Sequence, residues 1–210
     1  MIDDDTNKII DLINEPGLMT DDQIMTALKQ TQAIRKGHFQ LTSGRHSDTY
    51  VQCARLMEHP RLTNRLAAEA AARLPEGLHV DMVVSPAVGG ILFGFAVASA
   101  LDVPFIFSER ENGKMVFRRA FEVPAGARVI VAEDVVTTGG SVQEVCRLVE
   151  QQGGTVVGVV ALIDRGSPRV FSADFYPLLS LEVPSWDPKE CSLCNDGIEI
   201  YAPGSRTIAK

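Results

Sequence analysis

In its second half the chain reads Val129-Ile130-Val131-Ala132-Glu133-Asp134-Val135-Val136-Thr137-Thr138-Gly139-Gly140-Ser141. The apolar run that opens this stretch predicts a strand covered on both faces. Such a strand delivers Glu133 and Asp134 to its carboxyl end, where open α/β sheets bind their ligands. The hydroxyl and glycine residues from Thr137 to Ser141 come just before a helix predicted from near Val142. Backbone N–H groups in such a turn converge on an anion, so the stretch predicts a phosphate site.

The acidic pair narrows the kind of ligand. Glu133 and Asp134 would repel a phosphate, so we expect them to face hydroxyl donors or a bound Mg²⁺. A ligand that carries both a phosphate and a diol is a phosphorylated ribose. The glycine patterns of a Walker loop and of a dinucleotide-binding fold are both missing. The alternative is an ordinary strand-turn-helix unit whose acidic side chains are solvated.

This stretch resembles the 5-phosphoribosyl-1-pyrophosphate (PRPP) signature of type I phosphoribosyltransferases, in which an acidic pair follows an apolar strand and precedes a Thr/Gly loop. The resemblance implies an α/β fold of that type. In such a fold a mostly parallel central sheet is flanked by helices, and the N-terminal segment and C-terminal tail are expected to form a small hood. The resemblance also implies that PRPP contacts Glu133, Asp134, Val135, Val136, Thr137, Thr138, Gly139, Gly140 and Ser141.

Length and composition fit one domain with modest additions. The 210 residues are 45% hydrophobic, which is enough for one substantial core. The net charge of −7 argues against a nucleic-acid partner. No apolar run approaches the roughly 20 residues that span a bilayer. The start, Met1-Ile2-Asp3-Asp4-Asp5, does not resemble a secretory signal, so we expect a cytoplasmic protein with no membrane partner.

Apolar runs and helical patterns alternate along the chain as in a parallel sheet with crossover helices. Helices are predicted at 9–13, 21–30, 60–74, 91–101 and 142–152, and Thr20 or Asp21 is expected to cap the second of them. Strands are predicted at 39–41, 50–53, 80–84, 104–107, 129–132 and 156–163, and the first two can pair around a turn at Ser43-Gly44. We expect a single phosphoribosyltransferase domain over 1–210, divided into a hood segment at about 1–55, a PRPP-binding core at about 56–165 and a C-terminal extension at about 166–210.

The segment from Gly37 to Tyr50 resembles the N-terminal segment of orotate phosphoribosyltransferases, which there covers the base pocket. Its aromatic and polar groups suit a flat heterocycle with several hydrogen-bonding edges. Ser43 and Tyr50 are its candidate orotate contacts. Many relatives have a lysine where this chain has Thr42, which removes one ammonium from the segment. A plain surface hairpin is the alternative.

The segment from Ser85 to Ile91 follows a predicted strand and opens a helix, so its backbone N–H groups can face a second anion. It resembles the pyrophosphate loop of the family, which implies that Val88 and Gly89 contact PRPP. Some relatives have a lysine where this chain has Gly89. A tight strand-helix turn without a ligand is the alternative.

The polar segment from Ser108 to Arg119 lies between apolar strands. It resembles the mobile catalytic loop of orotate phosphoribosyltransferases, which closes over pyrophosphate. We predict Arg110 and Lys114 as its catalytic cations and treat Arg118 and Arg119 as backing charges. Lys114 can act in its own site or in that of a second subunit. A solvated β-hairpin is the alternative, because mixed charge usually marks an exposed face.

Arg165 follows the last predicted strand of the core. An arginine there resembles the family residue that binds the carboxylate of orotate, for which the planar guanidinium is suited. We expect Arg165 and Thr137 to orient orotate together, and an ordinary Asp-Arg surface pair is the alternative. The tail also looks like the carboxyl end of the longer orotate enzymes, and the resemblance runs from about Gly37 to Arg206.

Taken together, these resemblances imply an orotate phosphoribosyltransferase that makes orotidine 5'-monophosphate for UMP biosynthesis. They imply a homodimer and Mg²⁺ as cofactor, with the ion held by PRPP near Glu133 and Asp134 rather than by a dedicated protein site. A salvage phosphoribosyltransferase for another base would keep the PRPP loop without needing Arg165. A non-catalytic PRPP-sensing regulator would keep the PRPP loop and lose the cationic loop.

The chain has four cysteines, of which only Cys191 and Cys194 are close in sequence. Such a pair is half of a zinc site, a redox pair or two reduced thiols. Zinc needs four ligands, and no second Cys or His pair at finger spacing lies nearby in the sequence. The sequence therefore favours reduced thiols and leaves the other two interpretations open.

Overall fold

The computed structural model describes residues 4–166 and 168–203 of the chain, with side chains from residue 9 onward. Residues 1–3 of the acidic start and the tail residues Gly204 to Arg206 lie outside the described residues. No described helix is long and apolar enough to cross a membrane.

Helices and strands alternate through most of the chain. In chain order they are α1 (Asp4–Asn14), α2 (Asp21–Gln30), β1 (Ile34–Gln40), β2 (His46–Val51), α3 (Ala54–Met57), α4 (Pro60–Ala72), β3 (Met82–Pro86), α5 (Gly90–Leu101), β4 (Phe105–Glu111), β5 (Lys114–Phe117), β6 (Arg128–Val136), α6 (Gly140–Gln151), β7 (Thr155–Asp164), β8 (Phe175–Ser180) and α7 (Ser192–Asn195).

A six-stranded sheet forms the centre of the fold, in the order β5-β4-β3-β6-β7-β8. Every neighbouring pair is parallel except β4 and β5, which form an antiparallel hairpin. This confirms the predicted α/β class with a mostly parallel sheet. Parallel strands point the same way, so the loops that follow β3, β6 and β7 lie along one edge. The predicted phosphate, pyrophosphate and Arg165 segments all lie on that edge.

Strand β6 is buried on both faces, as its apolar run predicts. Ile130 and Ala132 pack into the core on one side of the sheet, with α4 and α5. Val129 and Val131 pack into the core on the other side, with α6. All four side chains are 0% exposed. Burial on both faces explains why the run shows no polar alternation.

The N-terminal region confirms two local predictions. Thr20 caps α2, since its side chain accepts a hydrogen bond from the Gln23 backbone N–H. The Gln23 side chain in turn accepts a hydrogen bond from the Thr20 backbone N–H. Strands β1 and β2 pair in antiparallel fashion around the predicted turn at Ser43-Gly44. Both strands are longer than predicted, because their polar residues conceal the pattern. The hairpin and α1 and α2 lie outside the six-stranded sheet.

Two strands of the sheet were missed by the sequence prediction. β5 is only four residues long and lies at the sheet edge, within the segment that was interpreted as a polar loop. β8 contains Pro177, which weakens its strand pattern. Because β8 pairs with β7, the central sheet continues past residue 165 into the part of the chain expected to form the C-terminal extension.

Candidate active site

The loop after β6 forms a cavity of about 250 Å³ at the start of α6. Gly139 has φ +79°, a left-handed conformation, and a Cβ there would lie 2.4 Å from the Phe171 ring. The segment that carries Phe171 is tied down by a Val170 N–H that donates to Thr138 O at 3.0 Å. An opening with room for a phosphate thus lies between a glycine-dependent turn and a helix N-terminus. Its lining residues are Glu133, Val135, Val136, Thr137, Thr138, Gly139, Gly140, Ser141 and Val142.

The acidic pair lies at the same end of β6. Glu133 is 9% exposed and Asp134 is partly buried. Burial raises the pKa of Glu133 well above its ordinary range, and the charge of Asp134 raises the pKa further. Glu133 therefore keeps its proton to higher pH than an exposed glutamate. In either protonation state the carboxyl has acceptor oxygens, which suit the hydroxyls of a ribose.

The predicted pyrophosphate loop lies against this acidic pair. A Cβ on Gly89 would lie 2.8 Å from Asp134 Oδ1, and a Cβ on Gly90 would lie 2.8 Å from Glu133 Oε1. Only glycine allows so close an approach of this backbone to the carboxyl groups. Val88 is 82% exposed at the mouth of the loop. The structure thus brings the loops after β3 and β6 together, as predicted from their positions on parallel strands.

A second cavity, of about 510 Å³, lies between the β1–β2 hairpin and the carboxyl edge of the sheet. All four residues predicted to contact orotate line it, although they come from three separate parts of the sequence. The lining residues are Gln40, Leu41, Thr42, Ser43, Arg45, Thr49, Tyr50, Val51, Thr137, Arg165, Val183 and Ser185. Arg45, Val183 and Ser185 were not predicted. Arg45 lies within the quoted segment, but nothing in the local sequence around 183–185 predicts its contact with the hairpin.

Arg165 is held at the edge of this cavity. Its backbone N–H donates to Val136 O at 2.9 Å, which ties the end of β7 to the end of β6. Burial lowers the pKa of its guanidinium, and its buried Nε has no hydrogen-bond partner among the described residues. Asp164 pairs with Arg169 at 3.8 Å, so the described contacts do not form the simple Asp164–Arg165 pair of the alternative interpretation. Buried donors usually have partners, and a planar anion in the cavity would supply one.

The polar segment with the predicted catalytic cations forms the β4–β5 hairpin. Arg110 makes a bidentate ion pair with Glu144 on α6, at 2.8 and 3.1 Å. Arg118 lies 3.5 Å from Glu111, and Arg119 pairs with Glu109. Lys114 is exposed and makes no ion pair with a described carboxylate. Neither Arg110 nor Lys114 lines the two cavities, so the structure does not bring them to the other predicted residues.

Two groups of side chains have ligand atoms that suit a metal. The acidic pair beside the phosphate loop offers carboxyl oxygens, which are the ligands that Mg²⁺ prefers, and leaves room in the adjoining cavity for a ligand that brings its own oxygens. These residues therefore fit a Mg²⁺ ion carried by a phosphorylated substrate. The second group joins Cys191 and Cys194 to His38 and His46. Sequence spacing gave no sign of it, because the two pairs are about 150 positions apart.

The fold, the glycine-dependent phosphate loop and the acidic pair define a phosphoribosyltransferase. Residues 54–190 match the family model of the phosphoribosyl transferase domain.

More specific relatives match nearly the whole chain. The orotate phosphoribosyltransferase of Heliobacterium modesticaldum is 49% identical over 191 residues, which cover 90% of this chain and 100% of the relative. That of Thermotoga maritima is 47% identical over 88% of this chain and 99% of the relative. The crystal structure of orotate phosphoribosyltransferase from Aeropyrum pernix superposes with a TM-score of 0.65 at 26% identity, covering 76% of this chain and 94% of that chain. The chain belongs to the orotate phosphoribosyltransferase family.

Proposed function

We propose that this protein transfers the 5-phosphoribosyl group of PRPP to orotate, giving orotidine 5'-monophosphate and pyrophosphate on the route to UMP. The observation that carries the proposal is the position of Arg165. Arg165 lines the same cavity as Thr137 of the phosphate loop. A carboxylated base bound to Arg165 would therefore lie next to the bound ribose. Relatives at 41–49% identity carry the same activity in their names.

PRPP would occupy the loops after β6 and β3. Its 5'-phosphate fits the cavity formed by residues 135–142, where backbone N–H groups and the α6 dipole favour an anion. Glu133 and Asp134 would bind the ribose hydroxyls. Val88 and Gly89 would face the pyrophosphate, because their loop already lies against the acidic pair. In this arrangement the reacting carbon would lie between the two cavities.

Orotate would occupy the second cavity, of about 510 Å³, which we call the hood cavity. Its carboxylate would pair with Arg165, and the Thr137 hydroxyl would help to orient the ring. Tyr50, which packs on Phe39 with ring centroids 5.5 Å apart, would form an apolar wall. Ser43 would contribute a hydroxyl from the hairpin turn. Several hydrogen-bonding edges of one flat ring would thus be read from both sides of the cavity.

The reaction needs no protein nucleophile. The C1 carbon of the ribose develops positive character as its bond to pyrophosphate breaks, and a ring nitrogen of orotate attacks from the opposite face. Lys114 and Arg110 would neutralise the charge that builds on the departing pyrophosphate. When bound, Mg²⁺ supplies further positive charge to that pyrophosphate. The loops would hold the two reactants in line, which removes part of the entropic barrier to the reaction.

Arg110 must leave Glu144 before it can bind pyrophosphate. Both side chains of this ion pair are more than a third exposed, at 40% and 36%. Exposed pairs of this kind contribute at most about 1 kcal/mol. The hairpin can therefore exchange the Glu144 carboxylate for a phosphate oxygen at little cost. Closure of the hairpin over the site would also exclude water from the reacting carbon.

A homodimer is the proposed assembly. Leu92 and Phe95 lie three residues apart on α5 and are 57% and 61% exposed, and Val88 precedes the helix. Exposed apolar side chains on one face fit a contact with a second copy. A dimer would also let Lys114 act in the partner's site. Cytoplasmic location and the absence of nucleic-acid and membrane partners stay predictions of the sequence.

The first test is turnover with a panel of bases. Purified protein is mixed with PRPP, Mg²⁺ and either orotate, uracil or adenine, and pyrophosphate release is followed. We expect turnover with orotate alone and none in the presence of EDTA. Turnover with uracil or adenine would make the protein a salvage enzyme. PRPP binding without turnover would make it a regulator.

Two variants separate the roles of the proposed residues. Arg165→Ala should raise the KM for orotate about 10- to 100-fold, the effect of losing hydrogen bonds to a charged group, with little change in the KM for PRPP. Lys114→Ala should lower kcat about 100- to 1,000-fold by removing charge stabilisation from the transition state. Arg169→Ala and Arg118→Ala are the matched controls, since both arginines lie nearby and already have acidic partners. Unchanged orotate binding in Arg165→Ala would exclude the proposed base site.

A further inference from the structure

Four side chains that could bind a metal ion lie close together within the hood. His38 and His46 belong to the β1–β2 hairpin, and Cys191 and Cys194 belong to the C-terminal segment around α7. One ligand atom from each residue lies within 4.8 Å of all the others. His38, His46 and Cys191 are buried, at 4%, 7% and 0% exposure. None of these side chains lines the phosphate cavity or the hood cavity.

Four of the six distances among these atoms are close to those of a tetrahedron around one ion, and the other two are within 4.8 Å. His38 Nε2 lies 3.2 Å from His46 Nδ1, 3.4 Å from Cys191 Sγ and 3.7 Å from Cys194 Sγ. Cys194 Sγ lies 3.3 Å from His46 Nδ1. Zinc bonds of normal length in tetrahedral geometry require about 3.3 Å between two nitrogens and about 3.5 Å between a nitrogen and a sulfur. An ion therefore fits among the four atoms with only small shifts.

The surroundings of His38 prepare it as a ligand. Its Nδ1 lies 2.8 Å from the Ile198 carbonyl oxygen, which can only accept a hydrogen bond. The proton is thus expected on Nδ1, which leaves the lone pair of Nε2 directed at the cluster. His46 is fixed through its backbone, which exchanges two hydrogen bonds with Trp186, at 2.8 and 2.9 Å. The C-terminal segment that carries the cysteines therefore holds the His38 ring and the His46 backbone in place.

We propose that His38, His46, Cys191 and Cys194 bind one Zn²⁺ ion in a closed structural site. Two thiolates and two imidazoles select zinc over Mg²⁺, which prefers oxygen. All four positions of the tetrahedron are filled by protein, so the ion has no open position for a substrate. The site is therefore separate from the Mg²⁺ that the transfer reaction uses.

The zinc joins parts of the chain that are about 150 residues apart. It clamps the hairpin to the C-terminal segment, and the same hairpin lines the hood cavity through Ser43 and Tyr50. Binding to the folded state alone stabilises that state by mass action. Loss of the ion should therefore loosen the hood before it disturbs the phosphate loop. This expectation for the hood rests on the proposed function, whereas binding of the metal does not.

Metal content tests the site directly. Untagged full-length protein, purified without chelators, is measured by inductively coupled plasma mass spectrometry, and we expect about one zinc per chain. Replacement by Co²⁺ should give the strong visible absorption of a tetrahedral site and a near-ultraviolet thiolate-to-cobalt band. Protein that contains no zinc and shows neither band with added Co²⁺ would overturn the proposal. A Cys191–Cys194 disulfide in such protein would assign the pair to redox chemistry.

A matched pair of cysteine variants locates the ion. Cys194 is exposed, so Cys194→Ser should fold and should lose at least nine-tenths of the zinc. Cys146 is a buried cysteine of α6 outside the cluster, and Cys146→Ser should keep one zinc per chain. Equal zinc loss in both variants, or full zinc in Cys194→Ser, would contradict the assignment. The wild-type metal content and cobalt spectrum decide the question if Cys194→Ser does not fold.

Activity provides a separate readout. Cys194→Ser should raise the KM for orotate about 3- to 10-fold and change the KM for PRPP less than twofold, because the ion supports only the hood. If the protein binds zinc but turns over no orotate, the zinc site stands and the proposed function fails. If it turns over orotate and binds no zinc, the reverse holds.

Discussion

The two walls of the proposed site are built in different ways. The core wall consists of the loops after β3, β6 and β7, in which each group of contacts comes from consecutive residues. The hood wall consists of the β1–β2 hairpin and residues 183–201, which are held together by contacts across about 140 to 160 positions. In the proposed site the core wall would bind through backbone N–H groups fixed by the sheet, and a short motif is enough to predict such a wall. The hood wall depends on side chains that meet only after folding.

The largest expected effect lies in the core wall, at Gly139. Gly139→Ala places a Cβ against the Phe171 ring and forces an L residue into a left-handed conformation, which costs about 1–2 kcal/mol before the clash is counted. We expect the KM for PRPP to rise at least about 100-fold as the phosphate loop is displaced. Steady-state kinetics and thermal unfolding measure the two effects. Gly140→Ala is the control for stability, since no atom lies within 4 Å of a Cβ there. Equal destabilisation by both variants would show that crowding at Gly139 is not the cause.

The next largest effect is expected at Glu133, where a substitution should lower activity and raise stability. Glu133→Gln keeps the shape of the side chain but removes a carboxyl that is buried beside another carboxyl. We expect kcat/KM to fall about 10- to 100-fold as bonds to the ribose are lost. The variant should also be more stable at neutral pH, with a Tm higher by about 2–4 °C, the change that 1 kcal/mol makes in a domain of this size.

The pH dependence of stability tests whether the Glu133 carboxyl destabilises the folded protein when it is charged. Folding raises the pKa of this carboxyl, so the folded protein binds its proton more tightly than the unfolded chain. The stability due to this group is therefore greatest below the unfolded pKa of about 4.3 and falls as pH rises toward the folded pKa. Glu133→Gln should abolish that fall. Glu69→Gln is the control, because Glu69 is equally buried but paired with Arg65 at 2.9 Å, and its loss should lower stability.

A smaller effect is expected in the hood wall, at Tyr50. Tyr50→Ala removes the aromatic wall of the hood cavity, so the KM for orotate should rise about 10-fold, the effect of roughly 1.4 kcal/mol of lost binding. The KM for PRPP should change less than twofold. Tyr201→Ala is the control, because Tyr201 also packs on Phe39, with centroids 6.4 Å apart, but does not line the cavity. A rise in the KM for PRPP equal to that for orotate would mean that the two walls do not bind separate substrates.

The smallest effect is expected at the β4–β5 hairpin, which belongs to neither wall. Glu144→Gln weakens the ion pair that holds Arg110, so the arginine becomes more available for pyrophosphate. We expect the KM for PRPP to fall by up to about threefold, consistent with an exposed pair of under 1 kcal/mol. High salt should reduce the difference from wild type. Glu111→Gln, which affects Arg118 on the same hairpin, should leave the KM for PRPP unchanged.

Sequence-based prediction succeeded where structure is set locally. A cap of α2 at Thr20 or Asp21 and the doubly buried strand β6 were predicted from adjacent residues, and the structure confirms β6 and assigns the cap to Thr20. β5 and β8 were missed because an edge strand and a proline-containing strand lack a regular apolar pattern. The segment with Arg110 and Lys114 was predicted as a catalytic loop and forms a hairpin with its arginine paired to α6. No property of the hairpin sequence predicts that partner, since Glu144 lies 34 residues away.

The sequence by itself determined the class of fold, the phosphate loop and the acidic pair, and its resemblances pointed to orotate and PRPP. These features depend on backbone geometry and on neighbours along one strand, which a short motif specifies. The resemblances indicated Thr137, Arg165, Ser43 and Tyr50 as contacts of one ligand, and the tertiary structure decided that they line one cavity. It also decided that His38 and His46 meet Cys191 and Cys194, because such contacts form only when the hood closes segments that are far apart in the chain.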